Sequence, residues 1–285
     1  MANRTGKAID KTFLSVDNAE ERGFLHRDYI AHCLRWTHVV KFLGTSMRYK
    51  ESRILDVGCG KEMPLAKLLH SSRMAPAWYG AVDVTPLTTP AQFANASWKP
   101  DELYSKTDVC DLSVSDLPSK VDVIVCFEVA EHIEPDHCRR MLTKFSELLD
   151  HDGTLFLSTP CWDPGVGAAG NHVNEMTYEA FGATLEDIGY TIESQHGTFA
   201  SIKDYRDALT HEQKTVFDEL RAYYDTNYLS TIFAPLYPQH SRNCLWRCTF
   251  QGRNNVRKFD PLRDQEQPWG SSEHWQRLDP SYDSI

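Results

Sequence analysis

The stretch RILDVGCG, Arg53 to Gly60, constrains this chain more than any other part of its sequence. An apolar run that closes on two glycines and leads into the helical pattern Met63–His70 reads as a buried strand, a tight turn and a helix. Runs of the same kind follow in AWYGAVDV, VDVIVCF and GTLFLST, with the amphipathic segment His137–Leu149 between the last two. Near-continuous apolar strands are covered on both faces, so the alternation predicts an α/β fold, a parallel sheet with helices on both sides. After Pro160 a loop, DPGVGAAGN, leads to a helix over Thr177–Gly189 with Gly189 as its left-handed cap. Two further strands, YTIESQHGTFA and NCLWRCTFQG, complete the pattern.

The flanks differ in texture. Residues 1–50 read as a helical lead-in, with Ile30, Cys33, Leu34, Val39, Val40 and Leu43 at helical spacing. Residues 51–252 carry the α/β domain, interrupted at about 202–241 by an insertion too long for a hairpin loop. Residues 253–285 read as an extended tail. A formal charge of −10 argues against a broad nucleic-acid footprint, although a local basic patch stays open. With no signal-like N-terminus and no apolar run of membrane-spanning length, the expectation is a cytoplasmic protein. The eight cysteines form no CxxC pair and read as reduced thiols rather than zinc ligands.

In Asp56-Val57-Gly58-Cys59-Gly60 the glycines stand where a ligand can approach the backbone and meet helix amides. Asp83 ends the next strand about 20 residues on, the placement of an acid that accepts hydrogen bonds from a ribose diol. A dinucleotide fingerprint wants a third glycine where Met63 stands, and no GxxxxGK[ST] run is present to cradle a triphosphate. Asp56 would repel a pyrophosphate and suits a cationic amino-acid moiety. S-adenosylmethionine (SAM) combines an adenosine diol with an ammonium group.

Through LDVGCG, VDV, TDVCDL, VDVIVCFEVAEHI and GTLFLSTP, the segment from about Arg53 to Tyr190 resembles the class I SAM-dependent methyltransferases, particularly the small-molecule branch with a type 11 domain. That resemblance implies a Rossmann-like, seven-stranded sheet whose last strand is reversed. It implies further that Asp56, Gly58, Cys59 and Gly60 form the SAM loop and that Asp83, with Val84 beside it, binds the ribose. Asp108 and Val109 would lie beside the adenine, and Phe127 and Glu128 would line the pocket. The sequence departs from the family at Glu62, where a third loop glycine is common.

Methyl transfer from a sulfonium depends mainly on in-line positioning, and a general base helps when the acceptor is a hydroxyl. His132, His172 and Glu131, all just beyond strand ends, are the candidates. Asp122 lies on its strand and reads as a structural contact. Glu128, Glu131 and His132, at i, i+3 and i+4, would share one helical face, and with His172 they form an ExxEH…H pattern. This is similar to the metal site of small-RNA 2′-O-methyltransferases and implies Mg²⁺ or Mn²⁺ as an alternative to a metal-free role. Tyr223, Tyr224, Tyr228, Phe233 and Tyr237 of the insertion, with Trp36, read as core or as a lid over the acceptor. Arg242, Arg247, Arg253, Arg257, Lys258 and Arg263 could serve an anionic substrate, but, interrupted by Asp260 and Asp264, they read rather as a solvated face. The leading reading is methyl transfer to a small-molecule or glycan-like acceptor at oxygen. Its alternatives are metal-assisted 2′-O-methylation of an RNA terminal ribose and a non-catalytic SAM-binding regulatory module.

Overall fold

The computed structural model describes residues 27–45, 49–163, 167–200, 209–236, 238 and 241–257. The polar start of the lead-in, Tyr237, and the tail positions Lys258, Asp260, Arg263 and Asp264 lie outside these residues. The chain runs α1 (Arg27–Thr45), β1 (Arg53–Val57), α2 (Pro64–Ser71), β2 (Trp78–Asp83), β3 (Glu102–Ser105) and β4 (Val121–Phe127). It continues with α3 (Pro135–Leu148), β5 (Leu149–Pro160), α4 (Tyr178–Ile188), β6 (Tyr190–Ala200), α5 (His211–Leu220), α6 (Thr226–Phe233) and β7 (Ser241–Phe250). The seven strands form one sheet in the order β3-β2-β1-β4-β5-β7-β6. β1 to β5 pair in parallel, and β7 enters antiparallel between β5 and β6.

Alternation along the strands divides the apolar residues between two cores. Leu55, Ile124, Cys126, Leu155 and Leu157 pack with Met141, Leu142 and Phe145 of α3 and with Phe181 and Leu185 of α4. Ile54, Val123, Val125 and Phe156 face the other way, against Val39 and Leu43 of α1 and Leu65, Ala66 and Leu69 of α2. β1 is tied at its start by Arg53, whose backbone N–H and guanidinium both reach Asp122, at 2.7 and 2.9 Å, while Nη2 also reaches Asp150 at 2.9 Å. Asp122 therefore has the structural role expected of it.

The structure departs from the sequence reading at several points. Strand β3, ELYS, is four residues long and half exposed at the sheet edge, and no apolar run announces it. Gly189 does end α4, but at φ 121° and ψ 17°, outside the left-handed helical well. In α1 the inward face is Ala31, His32, Arg35, Val39 and Leu43, and Cys33 is exposed. The helix thus turns polar side chains inward where it crosses the C-terminal ends of the strands. Two of the tail-side arginines are used in packing: Arg247 lies over the Phe42 ring, 5.4 Å from its centroid, and Arg257 donates to the Ile192 carbonyl.

Candidate active site

The glycine turn is held onto the end of β2. Gly58 N–H donates to the Val82 carbonyl at 2.8 Å, and Gly60 N–H donates to Asp83 Oδ2 at 2.9 Å. Both glycines are left-handed, at φ 68° and 65°, but for different spatial reasons. A Cβ at Gly58 would lie 2.2 Å from Val129 Cγ2, whereas one at Gly60 would meet nothing within 4 Å. Gly60 therefore borders an open cradle on the ligand side of the turn. Met63, at the position of the missing fingerprint glycine, is itself left-handed at φ 45°. Its side chain is fully buried in the α1–α2 core and begins a helix with proline at its first position. Glu62, at the other departure, pairs with Lys67.

Asp83 is buried, and its Oδ1 accepts from both the backbone N–H and the hydroxyl of Thr85, at 2.8 and 2.7 Å. Oδ2, bonded to Gly60 alone among the described residues, retains acceptor capacity toward the cradle. Val84 beside it is 71% exposed, an apolar rim at the mouth. Asp56 is buried under the turn and accepts from the Tyr79 hydroxyl. Burial pushes its carboxyl up to about 7, with Asp83 adding to the rise and the Tyr79 hydrogen bond opposing it. The Cys59 thiol is buried and pushed up by burial, then by Asp56 and Asp83, so it is an inert wall. Open space at Gly60, an acid with spare acceptor capacity and a carboxyl that an ammonium would ionise fit the nucleoside and amino-acid ends of SAM.

Farther along, Asp108 caps a short turn through Cys110 N–H at 2.8 Å and pairs with His137 Nε2 at 2.7 Å. The Val109 side chain is buried in the core, which leaves only its backbone for an adenine edge. Phe127 packs partly buried on the α1–α2 side.

The expected four-ligand cluster is divided. The chain leaves β4 at Glu128 in a left-handed conformation, φ 57°, and then makes a single 3₁₀ turn over Ala130–His132, so no shared α-helical face forms. Glu128 turns to Arg35 Nη1 at 2.9 Å, and it accepts from Ser158 Oγ at 2.7 Å and Asn243 Nδ2 at 2.8 Å. Glu131, His132 and His172 do come together, with one ligand atom from each within 4.8 Å of the others. Glu131 is fully buried, and burial, reinforced by Glu128, raises its carboxyl well above the usual range. Thr159 Oγ1 donates to its Oε2 at 3.3 Å, and Oε1 has no hydrogen-bond partner among the described residues.

His172 is carried over this turn by the loop after β5. Val173 and Asn174 N–H donate to the Glu131 carbonyl, and Asn174 Nδ2 donates to that of Ala130. The His172 side chain is 4% exposed; its Nδ1 pairs with Glu175 Oε1, while Nε2 is buried without a hydrogen-bond partner among the described residues. In the neutral tautomer that donates Nδ1–H to the Glu175 carboxylate, Nε2 is the acceptor nitrogen of the ring. His132 is more open, at 34%, with Nδ1 3.2 Å from the Asn171 carbonyl and its ring edge-on to His172, centroids 4.8 Å apart. Arg35, Ser158, Glu175 and Asn243 escaped the sequence reading because each lies outside the quoted motifs or has no chemical signature without its partner.

Residues 26–213 match the methyltransferase-domain family. Over 113 residues the chain is 34% identical to "Ubiquinone biosynthesis O-methyltransferase, mitochondrial" of Schizosaccharomyces pombe, a span of 39% of each protein. The fold is similar to that of a S-adenosylmethionine-dependent methyltransferase from Clostridium acetobutylicum, at 12% identity and TM-score 0.51, covering 83% of this chain and 98% of that one. It is also similar to magnesium protoporphyrin IX methyltransferase from Synechocystis, solved with bound SAH (S-adenosylhomocysteine), at 14% identity and TM-score 0.50, covering 78% of this chain and 84% of that one. Because the family match runs from α1 into α5, and so takes in every described strand but the last, the chain belongs to the methyltransferase-domain family.

Proposed function

We propose that the enzyme methylates a hydroxyl of a small molecule, with His172 as the general base and Glu175 as the group that orients it. The observation that carries this reading is the buried Nε2 of His172, which has no hydrogen-bond partner among the described residues and whose ring is paired through Nδ1 to Glu175, in the loop that lies over the turn after β4. A carboxylate-oriented imidazole suits a proton that must leave a hydroxyl as its oxygen becomes the nucleophile. The O-methyltransferase named above supports oxygen as the methylated atom.

On this reading residues 51–252 form the methyltransferase domain, with the segment at about 202–241 inserted before the last strand. Asp56, Gly58, Cys59 and Gly60 form the cofactor loop. Asp83 meets the ribose and Val84 covers it, Asp108 and the Val109 backbone border the adenine, and Phe127 and Glu128 wall the pocket. SAM supplies an electrophilic methyl group on a sulfonium. The protein positions the acceptor oxygen, excludes water beneath α1, and accepts the hydroxyl proton at His172 Nε2. Glu131 and His132 line the acceptor site beside it, His132 on the open side.

A glycan-like hydroxyl remains within the same chemistry. The metal-assisted reading, with Mg²⁺ or Mn²⁺ on Glu128, Glu131, His132 and His172, has less support, because Glu128 is committed to three other donors. The test is turnover on a panel of small phenols, catechols and sugars by wild type, His172→Ala and Glu175→Gln. Loss of transfer with SAH affinity intact supports the assignment, and undiminished transfer by His172→Ala refutes it. Wild type that binds SAH and turns over no acceptor favours the regulatory module.

A further inference from the structure

Arg35 descends from α1 into the interior, and its side chain is 1% exposed. Nη1 is occupied, 2.9 Å from Glu128 Oε1 and 3.4 Å from Ser158 Oγ. Nε and Nη2 are buried and have no hydrogen-bond partner among the described residues. These two nitrogens share one edge of the planar guanidinium. Their N–H groups run parallel and match the two oxygens of a carboxylate. A buried donor left unmade is destabilising, the more so when it is charged, so an edge with both donors unmade marks a place where a ligand completes the bonding.

The surroundings hold that edge in place. Glu128 fixes Nη1 and is itself fixed by Ser158 and Asn243, so the guanidinium plane is set by residues from β4, β5 and β7. The glycine turn and Asp83 lie instead at the ends of β1 and β2, on the other side of β4 in the strand order. Glu131 and Thr159, on the 3₁₀ turn after β4 and on β5, adjoin the Arg35 side of the site, and the field of Arg35 reaches the Glu131 carboxyl. The fork therefore stands on the side of the sheet where the acceptor lies if the cofactor occupies the glycine cradle.

We propose that the free Nε–Nη2 edge of Arg35 is a receptor for a carboxylate on the methyl acceptor, so that the substrate class is a hydroxylated small molecule bearing a carboxylic acid. This rests on the methyltransferase reading of the same site and adds the group by which the acceptor is held. Arg35 fixes one end of the molecule while the hydroxyl is presented to His172, and a rigid two-point hold restricts which hydroxyl is methylated.

The probes are benzoate and benzamide, planar and nearly isosteric, titrated into the SAH complex and followed by ligand-observed NMR and by the ¹⁵N resonance of the Arg35 side chain. Benzoate is expected to bind wild type at least tenfold more tightly than benzamide and to shift the Arg35 Nε–H signal. Arg35→Gln should abolish the preference and change SAH affinity, read by calorimetry, less than threefold. Arg35→Lys keeps the charge without the fork and should lose most of the preference. Equal affinity of the two probes for wild type overturns the proposal, and this comparison stands even if the Gln variant does not fold. A tenfold loss of SAH affinity in Arg35→Gln, with the probe preference unchanged, also overturns it by assigning the fork to the amino-acid carboxylate of the cofactor. Wild type that binds no SAH would instead remove the functional reading on which the proposal rests.

Discussion

Replacing Asp56 by Asn isolates a single buried ionisation. The carboxyl lies under the glycine turn with the Tyr79 hydroxyl as its donor, and its pKa in the fold is about 7 against an ordinary value of 3.8. Because the folded value is raised, the folded protein binds the proton more tightly than the unfolded chain. The resulting penalty is absent below pH 3.8, grows as pH rises, and is complete above about pH 7. At about 1.36 kcal/mol per pH unit, the cost is about 1.5 kcal/mol at pH 5 and about 4 kcal/mol at pH 8. Asn keeps an acceptor for Tyr79 and has no charge to desolvate. Urea unfolding without ligand should therefore show Asp56→Asn gaining about 2–3 kcal/mol more over wild type at pH 8 than at pH 5. The ligand side has the opposite sign. An ammonium beside Asp56 favours the carboxylate, so SAH should bind wild type more tightly as pH rises toward 7 and should release a proton below that pH, and Asp56→Asn should show neither effect. A stability difference between the two proteins that is the same at both pH values, within about 0.5 kcal/mol, would refute the reasoning.

Other perturbations separate the parts of the site. His172→Ala should lower kcat about 10²–10⁴-fold, with Glu175→Gln less severe; steady-state kinetics, with SAH affinity by calorimetry as control, decides whether the loss lies in chemistry. Gly58→Ala drives a Cβ to 2.2 Å from Val129 Cγ2 and should cost about 2–3 kcal/mol in urea unfolding. Gly60→Ala meets no neighbour and should cost only about 1 kcal/mol of backbone strain, yet it fills the cradle and should weaken SAH at least tenfold by calorimetry. Turnover should be unchanged after EDTA treatment; loss of activity restored by Mn²⁺ and absent in His172→Ala would replace the metal-free base with a bound cation.

The strands at the centre of the sheet were legible because β1, β2, β4 and β5 need apolar residues on both faces and therefore write continuous runs into the sequence. The reversed final strand was legible through the family resemblance, and the register of β7 against β5 and β6 agrees with it. The edge strand β3 could not be read from its residues, because a four-residue strand covered on few sides has no pattern to keep. Periodicity also misjudged α1: ranking positions by apolarity selected Cys33, which is exposed, over Arg35, whose burial follows from Glu128, Ser158 and Asn243 far away in sequence. The spacing of Glu128, Glu131 and His132 implies a shared helical face, which the backbone does not form. The left-handed step at Glu128 redirects that carboxylate toward α1 and leaves the other two to meet His172. Glu175 was hidden for a simpler reason, since an acid three residues after a histidine means nothing until the loop folds back.

The position of β7 has a consequence for how the protein comes into being. The segment synthesised last among the described strands is the one laid between β5 and β6, pairing Thr154–Pro160 with Asn243–Thr249 and Tyr190–Ala200 with Ser241–Phe250. Until Ser241–Phe250 has left the ribosome, β5 and β6 each present an unpaired edge, the kind of surface that recruits foreign strands. The glycine turn, Asp56 and Asp83 belong to strands that can pair with one another well before this, while Asn243, which fixes Glu128 and through it Arg35, arrives only with the closing strand. A nascent chain stalled before β7 would thus hold a nearly assembled cofactor cradle beside an open seam. The first vulnerable stage in its synthesis is the wait for that closing strand, when aggregation rather than slow chemistry would set the yield of enzyme.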